Sequence, residues 1–536
     1  MKRRNFFKTA ALGGGTLAIS PLTSCIQSSN SKVGPENYAD FDLNEMTISQ
    51  LQEKMTSGEM TSEEITQKYL KRIEQLDQQG PELRSVIEVN PDALDIARKL
   101  DGERKSGQVR GPLHGIPVLI KDNIDTGDKM QTTAGSLALV GSSASDDAFI
   151  VRKLRDAGAV LLGKTNLSEW ANFRSTRSSS GWSGRGGQVR NPFCIDRSPC
   201  GSSSGTGVAV SANLCTIGIG TETDGSIVCP SGINGIVGIK PTVGLWSRDG
   251  IIPISHSQDT AGPMTRTVTD AAILLGLLAE NDPNNTSDLK NTETITNYTS
   301  FLDQNGLQNA RIGIAADFFG FHDGVDQLMA DSIQKMKDCG ATIIENLKFE
   351  NRREWGDLEW QVLISEFKAD LNAYLENRTG LNVKSLADLI EFNKAHADTE
   401  MRWFVQEIFE KAEKTSGLDD PAYLGALAKA KELTRQKGID LLMDQNQLDA
   451  LIAPTNGPSW TIDLVNGDHF GGGSSDAAAI SGYPAITVPA GFVHGLPVGI
   501  SFFGRAWSET TLIKIAFAFE QATKHRKVPK FLKSIV

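Results

Sequence analysis

Apolar residues near residue 65 follow a helical spacing. Those that fall on one face of such a helix are Ile65, Tyr69, Leu70, Ile73 and Leu76. Thr61 precedes them and Glu64 stands three residues later, which is the spacing of a capping box at a helix N-terminus. The pattern therefore predicts an amphipathic helix that begins after Thr61.

Short apolar runs that are typical of buried strands alternate with helical patterns through the rest of the chain. The strand-like runs are residues 116–120, 159–162, 215–219, 236–239, 311–315, 341–344, 451–453, 485–488 and 498–502, and helical patterns include residues 147–157, 268–279 and 509–523. This alternation predicts one large α/β domain over residues 41–536. We expect a central, mostly parallel or mixed twisted β-sheet that is covered by helices on both sides.

Residues 350–445 interrupt the strand pattern. They are mainly helical in pattern and rich in charged and aromatic residues. We expect this stretch to form a helical cap that shapes a substrate pocket.

The first 24 residues differ from the rest of the chain. They begin MKRRNFFK, a basic start with paired arginines, and continue into a weakly apolar stretch that contains glycine. This pattern indicates an export signal that resembles the twin-arginine type.

Residues 22–25, LTSC, resemble a bacterial lipobox, which would place a lipid on Cys25. The alternative is a soluble exported protein in which Cys25 is incidental. Residues 25–40 would then form a polar tether, and we expect a periplasmic protein or a membrane-anchored lipoprotein.

Charge and cysteine content narrow the class of protein. The formal net charge is −11 and no sustained run of Lys and Arg occurs, which argues against nucleic acid as a partner. Besides Cys25 there are five cysteines, none in CxxC spacing: Cys194, Cys200, Cys215, Cys229 and Cys339. A disulfide among them is possible, but we expect buried thiols.

No motif points to a metal or another cofactor. The chain has neither HExxH nor a Cys/His set with zinc spacing. Residues 158–165 match the phosphate-loop pattern GxxxxGK[ST], but the four residues between the glycines are apolar and predict a strand, which cannot cradle a phosphate. We therefore expect no cofactor.

Three segments carry residues that are suited to nucleophilic catalysis. They are residues 115–123 (GIPVLIKDN), 198–207 (SPCGSSSGTG) and 220–227 (GTETDGSI). Taken alone, Lys121 would most often be a solvated end group of a strand, and the Gly/Ser segment a flexible linker. However, the apolar run before Lys121 could bury its amine, and burial lowers a lysine pKa by about 3 units or more. A neutral lysine can then act as a general base for a serine, a known variant of the nucleophile–base pair.

The same segments resemble those of the amidase signature family. The similarity extends from residue 197 to 242, which includes IVGIKPT at 236–242, and continues at 259–264 (DTAGPM) and 482–489 (GYPAITVP). It covers about residues 45–525. The resemblance implies an amide-bond hydrolase in which Lys121 is the base, Ser202 relays the proton and Ser226 is the nucleophile that forms an acyl-enzyme. The oxyanion hole implied by the family consists of the backbone amides of Thr223, Asp224, Gly225 and Ser226.

The chain departs from the commonest family pattern at three positions. Cys200 and Ser204 stand where glycine is usual, and Asp224 replaces the first glycine before Gly225. Together with SSGWSGRGG at 179–187, these departures look like bacterial peptide amidases, which release ammonia from C-terminally amidated peptides and spare internal peptide bonds. The resemblance thus implies an amidated peptide or a small amide as the substrate, and no obligate protein partner is evident.

Three other functions compete with this prediction. The first is an amidase for small aliphatic or aryl amides, which pocket residues outside the motifs would decide. The second is the amidotransferase subunit that amidates charged tRNA, which the export signal and the acidic charge oppose. The third is a non-catalytic, substrate-binding lipoprotein, which the presence of all three catalytic side chains opposes.

Overall fold

A computed structural model of the protein describes residues 40–280, 287–289 and 294–535. The predicted export signal, Cys25 and the predicted tether up to residue 39 lie outside these residues. Within the described ranges, no helix is both long enough and apolar enough to cross a membrane.

Eleven strands form one sheet at the centre of the molecule. With a separate pair, the described residues contain thirteen strands: β1 (Val86–Val89), β2 (Pro117–Lys121), β3 (Val160–Thr165), β4 (Trp182–Ser183), β5 (Gly187–Gln188), β6 (Ile217–Glu222), β7 (Val237–Lys240), β8 (Thr260–Thr265), β9 (Arg311–Ala315), β10 (Thr342–Leu347), β11 (Ala450–Pro454), β12 (Ala485–Val493) and β13 (Leu496–Phe503). The central sheet has the order β1-β3-β2-β6-β8-β7-β12-β13-β11-β9-β10, and β4 and β5 pair separately. The predicted α/β fold with a mixed sheet is confirmed.

Parallel and antiparallel pairs occupy different parts of this sheet. β2 is parallel to both β3 and β6, and β9 is parallel to both β10 and β11. The strands between these two groups pair antiparallel. β2 and β6 are buried along their whole length, because an inner strand covered on both faces has no exposed side. Because β2 and β6 are parallel neighbours, their carboxyl ends meet at the same edge of the sheet.

Helices flank the sheet. They are α1 (Ile48–Ser57), α2 (Ser62–Ile73), α3 (Ala93–Lys105), α4 (Phe149–Asp156), α5 (Ser204–Ser211), α6 (Val228–Ile233), α7 (Val268–Leu278), α8 (Asp323–Asp338), α9 (Trp355–Asn377), α10 (Leu386–Ala395), α11 (Ala397–Glu400), α12 (Glu407–Glu413), α13 (Pro421–Thr434), α14 (Asp440–Asn446), α15 (Asp476–Ser481) and α16 (Glu509–Thr523). The predicted helix after Thr61 is α2, and Thr61 and Glu64 form the expected capping box. The sequence patterns do not predict β1, β4, β5 and β8 among the strands, or α1, α3, α6 and α15 among the helices.

The predicted cap region is helical. Helices α9 to α14 lie between β10 and β11 in the chain, and part of them shares a hydrophobic cluster with residues 134–139, 170–173 and 252–254. Polar contacts add to this packing: Glu366 accepts from Ser255 Oγ at 2.5 Å, Asp370 accepts from the His256 backbone at 2.9 Å, and Arg378 donates to Asp125 at 2.8 Å. The helices are thus fixed to loops that follow the carboxyl ends of β2 and β3 and precede β8.

Candidate active site

Lys121 ends β2 in a fully buried position. Its Nζ lies 2.7 Å from Ser202 Oγ, 2.8 Å from Thr221 Oγ1 and 3.3 Å from the Thr221 carbonyl oxygen. Burial lowers the pKa of Lys121 to about 7, although the charges of Asp259 and Glu222 oppose the shift. A neutral amine has two hydrogens and one lone pair. If the hydrogens are donated to the two oxygens of Thr221, the lone pair is left for Ser202.

Ser202 stands in a tightly packed loop before α5. The Gly201–Ser202 peptide bond is cis, and the Ser202 carbonyl accepts from the Ser168 amide at 3.1 Å. A Cβ on Gly201 would lie 2.1 Å from Ser168 Oγ, so a larger residue would displace this loop. The Gly/Ser segment is therefore a buried part of the core and not a flexible linker.

Ser226 follows the turn that leads from β6 to α6. Gly225 has a φ of +76°, a conformation that glycine adopts without steric cost. The Glu222 carboxylate accepts from the amides of Ile227 and Val228 at 2.7 and 2.9 Å, which fixes the chain on the far side of Ser226. The Ser226 carbonyl accepts from the Ser203 amide at 3.1 Å, so the two serine segments are in direct contact.

A disulfide joins the same two segments. Cys200, two residues before Ser202, is bonded to Cys229, three residues after Ser226. Ile233 and Trp460 pack around the bridge. The expectation of buried thiols is wrong for this pair, because the first turn of α6 lies against the Gly/Ser loop and brings the two cysteines together. Cys194 and Cys215 are buried free thiols, and Cys339 is a half-buried one.

The turn predicted to form the oxyanion hole is held by a half-buried acid, Asp259. Thr223 Oγ1 donates to Asp259 at 2.5 Å, and the other oxygen of Asp259 accepts from the amides of Ile254 and Ser255. Burial raises the pKa of Asp259 to about 6. Burial and the neighbouring charge of Asp476 raise the pKa of Asp224 well above its ordinary value.

A cavity of about 180 Å³ opens beside these groups. Asn123, Thr221 and Thr223 line one side of it, and the segment from Ile251 to Ile254 supplies an apolar wall. The cavity thus adjoins both the side-chain partners of Lys121 and the predicted oxyanion turn. This position suits the binding of a substrate.

One group of side chains in the described part of the chain has metal-ligand geometry. His256, Glu366 and Asp370 bring their ligand atoms within 4.8 Å of one another. The carboxylates already accept hydrogen bonds: Asp370 from His256, and Glu366 from Ser257 and Tyr423. The group therefore fastens α9 to the loop before β8.

The structure brings the residues predicted from the sequence together in one place. Lys121 and Ser202 are in hydrogen-bond distance, and the segments of Ser202 and Ser226 touch through their backbones. Sequence reasoning missed three further residues. Thr221 contacts the Lys121 amine, Asn123 contacts Thr221, and Asp259 holds the predicted oxyanion turn through Thr223. Thr221 and Asn123 lie inside the quoted motifs, but only the fold shows that their side chains meet.

Known proteins resemble this chain over most of its length. Residues 64–513 match the family model described as Amidase. A probable amidase of Arabidopsis thaliana is 43% identical over 502 residues, which cover 92% of this chain and 93% of the relative. The native peptide amidase of Stenotrophomonas maltophilia is 51% identical with a TM-score of 0.88, and the match covers 92% of this chain and 99% of that one. A peptide amidase in complex with the competitive inhibitor chymostatin is 52% identical with a TM-score of 0.89, over 91% of this chain and 100% of that one.

Proposed function

Because this chain belongs to the amidase family and hydrolyses amides, we propose that its substrates are C-terminally amidated peptides, from which it releases ammonia. The observation that carries the chemistry is the 2.7 Å distance between the buried Lys121 amine and Ser202 Oγ. The choice of substrate is supported by the likeness to peptide amidases at 51–52% identity.

The reaction begins with the transfer of two protons. Lys121 takes the hydroxyl proton of Ser202, Ser202 takes that of Ser226, and Ser226 Oγ forms a bond to the amide carbon. The carbonyl π electrons move to oxygen, and the backbone amides of residues 223–226 stabilise the oxyanion. Asp259 supports this step because it holds Thr223.

The second half of the reaction returns the protons. The C–N bond breaks as Ser202 gives a proton to the leaving nitrogen, and Lys121 returns its proton to Ser202. Ammonia leaves and the acyl group stays on Ser226 as an ester. Water then attacks the ester by the same route, which yields the free peptide carboxylate and regenerates the serine.

Ammonia release from a panel of peptides tests both parts of the proposal. We expect the wild type to release ammonia from amidated peptides at higher kcat/KM than from propionamide or benzamide, and to leave internal peptide bonds intact. Ser226→Ala should abolish turnover and labelling by a fluorophosphonate probe while the protein remains folded. Preferential hydrolysis of small amides would refute the peptide substrate, and labelling of the alanine variant would refute the nucleophile.

We also propose that the protein is exported and carries a lipid on Cys25. The support is the paired arginines Arg3 and Arg4 and the lipobox-like LTSC sequence, all outside the described residues. Labelling with radioactive palmitate should mark the wild type but not Cys25→Ala, and Arg3→Lys with Arg4→Lys should retain the protein in the cytoplasm. Unlabelled wild type would refute the lipid, and export of the double-lysine variant would refute the twin-arginine route.

A further inference from the structure

Asn123 lies two residues after Lys121 and is held in one orientation. Its backbone carbonyl accepts from the Ile252 amide at 2.9 Å. Its Nδ2 donates to Thr221 Oγ1 at 3.0 Å, the same oxygen that lies 2.8 Å from Lys121 Nζ. The Asn123 side chain is therefore one hydrogen bond away from the base.

The other end of the Asn123 side chain has no protein partner. Asn123 is only 3% exposed, and among the described residues none donates a hydrogen bond to its Oδ1. Buried carbonyl oxygens are nearly always paired, since an unpaired one costs free energy. An acceptor without a donor beside a catalytic base indicates that the bound ligand supplies the donor.

The residue that carries this acceptor lines the cavity. Asn123 shares its lining with Thr221, beside the base, and Thr223, at the start of the predicted oxyanion turn. A carboxamide whose oxygen lies at that turn must direct its nitrogen towards Ser202, which supplies the proton for departure. The unsubstituted nitrogen carries two hydrogens and needs acceptors. Among the described residues that line the cavity, Asn123 and Glu222 each carry a side-chain oxygen without a donor, and Asn123 is the one bonded to the partner of Lys121.

We propose that Asn123 Oδ1 accepts a hydrogen bond from the NH₂ group of the substrate and holds that nitrogen towards Ser202 while the C–N bond breaks. Asn123 is then a recognition residue for primary amides. The proposal rests on the function proposed above and names the group by which this site recognises its substrate. An ester of the same acyl group has no N–H to offer, so it gains nothing from Asn123.

The test compares each peptide amide with the methyl ester of the same peptide. In Asn123→Leu, which removes the acceptor, we expect kcat/KM for the amide to fall at least 10-fold more than kcat/KM for the ester. If Asn123 acts only through Thr221 and Lys121, both substrates depend on it equally, and both would fall by the same factor. An equal loss would overturn the proposal.

A matched control is available in another buried asparagine. Asn393 on α10 donates from Nδ2 to Gln406 at 2.9 Å, and its Oδ1 also has no donor among the described residues, but it does not line the cavity. Asn393→Leu should leave the amide-to-ester ratio unchanged. Circular dichroism and fluorophosphonate labelling of Ser226 report folding, and Asn123→Ser replaces the leucine variant if that variant does not fold.

The two proposals fail in distinguishable ways. If the wild type hydrolyses benzamide but no amidated peptide, the proposed peptide substrate is wrong. The role of Asn123 is then read from benzamide and methyl benzoate, with the same 10-fold criterion. An unchanged ratio with that pair would overturn the role of Asn123 alone.

Discussion

Replacing Lys121 with methionine measures whether its amine is neutral in the folded protein. The pKa of Lys121 is about 7 in the folded chain against an ordinary value of 10.5. Between these values the unfolded chain binds one more proton than the folded chain, so the folded wild type gains stability as pH rises, by about 1.4 kcal/mol per pH unit. Lys121→Met has no such group and lacks this dependence.

The magnitude follows from the two pKa values. From pH 7.5 to 9.5, the cost of removing the proton on folding falls from about 4 kcal/mol to about 1.4 kcal/mol. The free energy of unfolding of the wild type should thus rise by about 2.5 kcal/mol relative to that of Lys121→Met over this range. The variant also loses the contacts to Ser202 and Thr221, but that loss is a constant offset and does not alter the slope.

Urea denaturation of both proteins at several pH values gives the result. The pKa values of Lys164 and Lys240 are also lowered by burial, but these residues are present in both proteins and their contributions cancel in the difference. The reasoning is refuted if the difference in unfolding free energy stays within about 0.5 kcal/mol from pH 7.5 to 9.5, since a single displaced proton requires more.

Two further predictions concern activity. The kcat/KM for amides should rise with pH through a midpoint near 7 and then stay level to pH 9, because the base proposed above is the neutral form of Lys121 and its pKa is about 7. A rate that increases from pH 8 down to 5 would contradict this proposal. Reduction of the Cys200–Cys229 bridge should lower kcat at least 10-fold, because the bridge joins the segments of both serines. It should also lower the free energy of unfolding by about 3 to 4 kcal/mol, because the bridge closes a loop with a sequence separation of 29 and limits the entropy of the unfolded chain. Cys200→Ser with Cys229→Ser should match the reduced enzyme and be insensitive to dithiothreitol, and full activity of this variant would refute the role of the bridge.

The sequence predicted the parts of the fold that rest on local patterns. The apolar run before Lys121 predicted β2, and the capping box at Thr61 predicted α2. The strand at 260–265 was missed because TAGPMT contains a glycine and a proline, which disfavour strands. The ladder from β7 to this strand covers only Met264 and Thr265, so Pro263 lies outside it and is tolerated in the middle of the sheet.

In the candidate site, too, local sequence patterns predict some residues and only the fold reveals others. Motifs predict Lys121, Ser202 and Ser226 as site residues, although these residues are far apart in the chain. Thr221 is a partner of Lys121, and Asn123 is a partner of Thr221; both contacts depend on how β6 lies beside β2, which no local pattern reveals. The disulfide was missed for a similar reason: several cysteines are close in sequence, and their pairing depends on the docking of α6 against the Gly/Ser loop.

The position of the helices α9–α14 has an evolutionary consequence. They leave the sheet after β10 and return at β11, and these strands lie on either side of β9, towards the edge of the sheet away from β2 and β6. The residues proposed for the chemistry come from an earlier stretch of the gene. Insertions, deletions or recombination within the helical stretch can thus reshape the surroundings of the pocket through Glu366 and Asp370, while the residues proposed for the proton relay are retained. Descendants of one ancestral enzyme can in this way diverge in substrate specificity while the chemistry of bond cleavage stays the same.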